Sequence, residues 1–128
     1  LTIDEKKEFF IDALNLLRKF RNNIAHGNRT FNISNLPVLP KKSLLHLAAG
    51  AINEQEYNAG CGKNDTYAVI LLCFLLIDDS YILRNFLADL GYTLSPYNNI
   101  DINGKTIFEV FRLPNDIFDR LTSLLNNK

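Results

Sequence analysis

The apolar positions of this chain recur at helical spacing, and no stretch alternates apolar and polar residues as a strand would. The first helix is predicted over residues 3–25, after a capping box formed by Thr2 and Glu5 and before Gly27, a suitable residue to end it. A stripe at steps of four and three residues, with an arginine inside it, is expected to face the core. The stripe consists of Phe10, Leu14, Leu17, Arg21 and Ile24, and Phe9, Ala13 and Phe20 widen it.

Further segments also have helical character. The segment 66–77 is apolar on all sides, so we expect a buried central helix that begins after Asn64 or Asp65. Asp79 is expected to cap the following helix, and Gly91 to end it. The other predicted elements are residues 44–52, 81–90, 105–111 (as helix or strand) and a last helix from the Leu113–Asp116 turn to about Leu125. The sequence therefore predicts an all-α fold, a helical bundle of about four to five helices in a single domain over residues 1–128.

Length and composition narrow the class of protein. The chain has 128 residues, of which 47% are hydrophobic and 22% are charged, which is typical of a soluble domain with its own core. The longest uninterrupted apolar run covers residues 68–77, about half of a membrane span, so no membrane partner is expected. Two cysteines without metal-ligand spacing favour a reducing, cytoplasmic setting and a protein without metal or cofactor. Since the sequence begins with Leu1 and not with methionine, we expect a fragment of a longer chain.

The charges are balanced in number but not in position. The chain has fourteen basic and fourteen acidic residues, so its net charge is zero. This balance argues against a strongly basic surface that binds a long nucleic-acid duplex. Residues 18–42 nevertheless hold six basic residues and no acidic one. Such a region fits a compact anionic partner such as RNA, although a solvated surface has the same pattern. The six residues are Arg18, Lys19, Arg21, Arg29, Lys41 and Lys42.

The end of the first predicted helix carries candidate catalytic groups. Arg21 falls within the apolar stripe, so it must meet a carboxylate such as Asp78 or Asp79, lie at a subunit interface, or face a cleft that holds an anion. Asn22 and His26 are four residues apart on one face, and the helix macrodipole favours a protonated imidazole at that end. An imidazole could take the proton of a ribose 2′-hydroxyl while a guanidinium stabilises the phosphate, without a metal. A histidine that only caps the helix is the structural alternative.

Other polar residues are weaker candidates. His46 lies among leucines and is expected to be a core or boundary residue. Cys61 and Cys73 have no zinc-ligand spacing relative to the two histidines. Residues 60–63 (Gly-Cys-Gly-Lys) lack the spacing of a phosphate-binding loop, so we expect a turn.

The segment from Arg21 to His26 resembles the Arg-x4-His motif of the HEPN superfamily of metal-independent endoribonucleases. The wider pattern resembles the Abi-like (abortive infection, Abi_2-type) proteins of bacterial phage defence. It consists of Leu17-Arg18, Arg21-Asn22, Ala25-His26, Arg29-x-x-Asn32, a loop with prolines, the apolar helix at 67–77 and the Leu113–Asp116 turn. Arg112 stands where the family usually has glycine, and Gly27 where it often has asparagine.

The resemblance implies a HEPN-like bundle that cleaves RNA, with Arg21 and His26 as the catalytic pair and Asn22 in support. Arg18, Lys19, Arg29, Lys41 and Lys42 would then bind RNA. It also implies a homodimer in which two motifs meet in one composite site, and regulation by an antitoxin or a regulatory RNA. Two alternatives remain at this stage: a non-catalytic module that binds RNA or protein, and a helical scaffold whose partner domain carries the activity.

Overall fold

The computed structural model describes residues 1–27 and 36–127, which form seven α-helices and no β-strand. The all-α prediction is therefore confirmed. None of the described helices is both long and apolar enough to cross a membrane. The helices are α1 (Ile3–Ala25), α2 (Lys41–Leu47), α3 (Glu54–Asn58), α4 (Thr66–Leu76), α5 (Ser80–Leu94), α6 (Ile107–Phe111) and α7 (Ile117–Asn126), and a 3₁₀ turn (Ser95–Tyr97) follows α5.

Helix α4 is the centre of the core, as its uniformly apolar sequence predicts. It begins where Asp65 accepts a hydrogen bond from the backbone N–H of Ala68 at 2.9 Å, which confirms one of the two predicted caps. Helices α1 and α7 pack against it, and α7 also packs against α5. Six of its residues are buried: Tyr67, Ala68, Ile70, Leu71, Leu72 and Phe74.

Helix α1 has the predicted length and caps, but the predicted apolar stripe is buried only along the edge that contains Phe9, Ala13 and Phe20. The capping box of Thr2 and Glu5 is present, and Gly27 follows the helix with a φ of 82°. Its core contacts come from Phe9, Ala13, Leu16 and Phe20, which are spaced by four, three and four residues. The stripe predicted to be buried instead faces outward: Phe10, Leu14 and Ile24 are between 46% and 50% exposed. We call Ile3, Phe10, Leu14, Leu17, Arg21 and Ile24 the outer stripe.

Two helix ends differ from the sequence-based expectation. The helix predicted over 44–52 ends at Leu47, because Gly50 turns the chain with a φ of 90° and Asn53 starts α3 with its own capping box. Helix α5 continues through Gly91 to Leu94. A Cβ at Gly91 would lie 3.6 Å from the ring of Phe118, an ordinary van der Waals contact, so the packing of α5 against α7 does not require glycine here.

The turn before α7 contains a left-handed residue. Arg112 has a φ of 57°, a backbone conformation that glycine adopts far more easily than arginine. Its N–H donates to the carbonyl of Glu109, and Leu113 is buried immediately after it.

Arg120 on α7 joins three parts of the chain. Its Nη1 atom donates to the Glu56 carboxylate at 2.8 Å and to the Ala51 carbonyl at 3.0 Å, while Nε donates to Asp116 at 2.7 Å. The buried hydroxyl of Tyr67 donates to the same Ala51 carbonyl. Because Arg120 and Glu56 are only 19% and 24% exposed, water screens this pair less than a surface pair.

Replacing Arg120 with alanine is expected to destabilise the protein by about 2 kcal/mol, because Glu56 would be left partly buried without its partner. Urea unfolding followed by circular dichroism measures the change. Arg84→Ala, which removes an exposed arginine from α5, is the control and should change the free energy of unfolding by less than about 0.5 kcal/mol. Equal effects of the two substitutions would contradict a structural role for the Arg120 contacts.

Candidate active site

The residues of the Arg-x4-His motif form the C-terminal end of α1. The backbone N–H of His26 donates to the Asn22 carbonyl at 3.0 Å, and that of Gly27 donates to the Ile24 carbonyl at 2.9 Å. The C-terminal end of α1 is therefore closed by main-chain hydrogen bonds, and the imidazole of His26 takes no part in them. The side chain of His26 is exposed and makes no hydrogen bond to any residue in the described ranges. It is therefore accessible to a ligand from solution.

The helix distributes the motif over two neighbouring faces. At about 100° per residue, Arg18, Asn22 and His26 follow one another along one face. Arg21 lies roughly 140° around the axis from His26 and about 7.5 Å before it along the axis. The three predicted catalytic residues are all exposed at the same end of α1. A phosphate could meet Arg21 and His26 together only if the long arginine side chain reaches around the helix.

Arg21 meets no carboxylate among the described residues, so the first of its three predicted environments is wrong, whereas a subunit interface and a cleft that holds an anion stay predictions. Arg21 is exposed and forms no ion pair with any described residue. Its proposed partner Asp79 caps α5 instead and accepts from the N–H groups of Tyr81 and Ile82 at 2.9 and 3.3 Å, which confirms the predicted cap. Because Arg21 lies in water, it needs no carboxylate to neutralise it.

Positive charge dominates the second half of α1. Residues 13–27 contain Arg18, Lys19 and Arg21 and no acidic residue. Each of the three side chains is exposed, and none pairs with a carboxylate within the described part of the chain. The amide of Asn23 donates to the Lys19 carbonyl at 2.8 Å, and the side chain of Asn22 is exposed. This end of the helix can attract a phosphate backbone.

Lys41 and Lys42 lie elsewhere. Lys42 pairs with Glu5 in the first turn of α1 at 2.9 Å, and its hydrogen bond lowers the pKa of that carboxyl to about 2. At 1.5 Å per residue, Glu5 is about 30 Å from His26 along the axis. Lys41 pairs with Glu54 at 2.9 Å. The described basic residues of the sequence segment 18–42 therefore do not form one continuous patch.

The remaining predicted residues have mixed outcomes. Arg29, together with Asn32 of the family pattern, lies outside the described residues. His46 is exposed on α2, so the prediction of a core or boundary residue is wrong. On this short helix the buried side chains include leucine but not the imidazole of His46. The predicted turn at residues 60–63 is confirmed.

The cysteines and acidic residues form no metal site among the residues described: no three His, Cys, Asp or Glu side chains converge. Cys61 is half-buried, and its thiol donates weakly to the Arg112 carbonyl at 3.7 Å. Burial raises the pKa of Cys61 to about 11 and also raises the pKa of Cys73. Both thiols are therefore poor nucleophiles at neutral pH.

Sequence reasoning missed the group around Arg120. A shallow cavity of about 220 Å³ lies beside it, lined in part by Asn53, Glu56 and Asp116. The spacing of Asp116 and Arg120 by four residues on one helix was a signal for that pair. Glu56 is 64 residues away in sequence, and no local pattern indicates that contact. These charges neutralise one another and hold the fold together.

Comparisons of the chain with protein-family models, with curated proteins and with solved structures gave no match. The resemblance to the Abi-like and HEPN proteins therefore stays a prediction based on the motif residues.

The separation of the basic residues predicts unequal effects on RNA affinity. Lys19→Ala should weaken binding of single-stranded RNA and reduce the slope of log affinity against log salt by about 0.7, the value for one lost phosphate contact. Lys42→Ala, the matched control, removes a lysine that already pairs with Glu5 at the far end of α1 and should leave the slope unchanged. Fluorescence anisotropy at several salt concentrations measures both. A larger effect of Lys42→Ala would contradict the assignment of RNA to the His26 end.

Proposed function

We propose that this chain is a metal-independent endoribonuclease domain of an abortive-infection type of defence protein, and that it cleaves RNA at the C-terminal end of α1. The observation that carries the proposal is the joint exposure of Arg21, Asn22 and His26 at an end of the helix without acidic residues. A general base and a phosphate-binding cation must both be accessible from solvent to act on RNA. The side chains of His26, as the base, and Arg21, as the cation, are both exposed.

In the proposed reaction, the neutral imidazole of His26 removes the proton of a ribose 2′-hydroxyl. The 2′-oxygen forms a bond to the adjacent phosphorus, and the bond from phosphorus to the 5′-oxygen breaks. The 5′-oxygen takes a proton from the imidazolium or from water, which leaves a 2′,3′-cyclic phosphate and a 5′-hydroxyl. Arg21 offers two parallel N–H donors to the phosphate oxygens as negative charge accumulates on them. Asn22 holds the imidazole or the phosphate through its amide.

The setting that fits this activity is that of a cytoplasmic toxin. We propose RNA as the substrate, a homodimer as the assembly, and an antitoxin or a regulatory RNA as the inhibitor. Arg18 and Lys19 would guide the RNA strand toward His26, since both are exposed beside it along α1.

A non-catalytic module that binds RNA or protein is the second candidate. The exposed apolar side chains of the outer stripe favour it, since Phe10, Leu14 and Ile24 lie on the same helix as the motif and can contact another protein. RNA affinity in this case would depend on salt, and no cleavage would accompany it.

The decisive test compares the two histidines of the chain. His26→Ala should reduce cleavage of single-stranded RNA by at least about 10²-fold, because the general base is lost, while RNA affinity stays within about twofold. His46→Ala removes the other exposed histidine, on α2, and should leave the rate unchanged. Cleavage is followed by gel electrophoresis of end-labelled RNA in excess chelator, and the products are analysed for 2′,3′-cyclic phosphate.

Three results would overturn the proposal. Equal cleavage by the His26→Ala and unaltered proteins would show that the imidazole is not the base. Loss of cleavage in chelator would indicate a metal-dependent reaction. Salt-dependent RNA binding without cleavage at any protein concentration would favour the binding module.

A further inference from the structure

The chain between α5 and α6 contains a tight hairpin turn in which an asparagine precedes a glycine. Of the sixteen asparagines in the sequence, only Asn103 is followed by glycine. The backbone N–H of Ile102 donates to the Lys105 carbonyl at 2.8 Å, and the N–H of Lys105 donates back to the Ile102 carbonyl at 3.1 Å. Between them, Asn103 and Gly104 have φ angles of 52° and 82°, as in the type I′ turn that Asn-Gly favours.

Both groups that could react at this turn are open to solvent. Asn103 and Gly104 are exposed. Within the described ranges, neither the backbone N–H of Gly104 nor the side-chain amide of Asn103 forms a hydrogen bond. A Cβ at Gly104 would meet no atom within 4 Å, and this glycine lines a shallow cavity of about 310 Å³. No described residue therefore shields either group from water.

An asparagine before glycine can lose its side-chain nitrogen without an enzyme. The backbone nitrogen of Gly104, once hydroxide has removed its proton, attacks the side-chain carbonyl carbon of Asn103. The new C–N bond closes a succinimide ring, and the side-chain nitrogen leaves as ammonia after taking a proton from water. A water molecule then adds to one of the two ring carbonyls and breaks its bond to the ring nitrogen. Attack at the side-chain carbonyl gives aspartate, and attack at the main-chain carbonyl gives isoaspartate.

The glycine and the small size of the hairpin both favour ring closure at this position. Glycine has no Cβ beside the attacking nitrogen. Asn98 and Asn99 line the same cavity and are equally exposed, but they precede asparagine and isoleucine. A single residue pair, Ile102 with Lys105, holds the hairpin together. So small a hairpin is at most marginally stable, so the turn can open and let Asn103 adopt the geometry of the ring while the helices stay folded.

We propose that Asn103 is a deamidation site, at which the Gly104 nitrogen and water convert the asparagine to aspartate and isoaspartate. The modification adds one negative charge to a chain whose net charge is zero. The isoaspartate form also carries the main chain through its side chain, which adds one carbon to the turn. This longer turn is expected to break the paired bonds between Ile102 and Lys105, because the type I′ turn fixes their register. The hairpin therefore changes in charge and in shape as the protein ages.

Incubation of the purified full chain at neutral and at mildly alkaline pH tests the proposal. Peptide mass spectrometry measures the loss of each side-chain amide, and a protein isoaspartyl methyltransferase labels the isoaspartate that forms. Asn103 should lose its amide at least about tenfold faster than Asn98 or Asn99, which corresponds to a lower barrier for ring closure. The loss should be faster at the higher pH, because the attacking nitrogen must be deprotonated, and both aspartate and isoaspartate should appear.

Two variants separate the ring mechanism from plain hydrolysis of the amide. Gly104→Ala adds a Cβ to the attacking residue and leaves Asn103 in place, and circular dichroism checks that the helices are retained despite the positive φ. Asn103→Gln lengthens the side chain, so that the ring it would have to close is larger and forms more slowly. Both variants should slow amide loss at residue 103 to the rate of Asn98 or Asn99.

Four results would overturn the proposal: an unchanged Asn103, equal loss at all exposed asparagines, a rate that both variants leave unaffected, or aspartate without isoaspartate. The readout involves no RNA, so its outcome is independent of whether the chain is a ribonuclease.

Discussion

The need to surround α4 with apolar side chains determines the arrangement of the described helices. Six of its eleven residues are buried, and no face of this helix is polar enough to meet water. Helices α1 and α7 supply the cover. The buried residues of α1 are Phe9, Ala13, Leu16 and Phe20, and their burial in the core fixes the rotation of the helix about its axis. The exposure of Arg21 and His26, and of the outer stripe, follows from that rotation.

The sequence allowed the larger helices to be predicted because their signals are local. Thr2 with Glu5, Asp65 and Asp79 each cap the helix that follows, as expected. The rotation of α1 could not be predicted, since two apolar stripes with the same spacing lie side by side and only tertiary contacts select between them. Gly91 was expected to end α5, but its backbone stays helical and α5 continues to Leu94.

The candidate site was predictable as a set of residues but not as a surface. The motif spacing located Arg21, Asn22 and His26 at a helix end, and their accessibility follows only from the packing of α1. Charge counting along the chain grouped Lys42 with Arg18 and Lys19, yet the fold brings Lys42 to Glu5 at the other end of α1. Nearness in sequence does not imply nearness in space for residues on two different helices, so this part of the prediction needed the structure.

The rotation of α1 is the claim on which the candidate site depends, and two leucines test it. Leu16 is fully buried and Leu14 is 47% exposed, although they are two residues apart. The account predicts that Leu16→Ala lowers the free energy of unfolding by 2–5 kcal/mol, roughly the cost of a core cavity, and Leu14→Ala by less than about 1 kcal/mol. Urea unfolding at concentrations where the protein is monomeric measures both. Equal losses, or a larger loss for Leu14→Ala, would contradict the account.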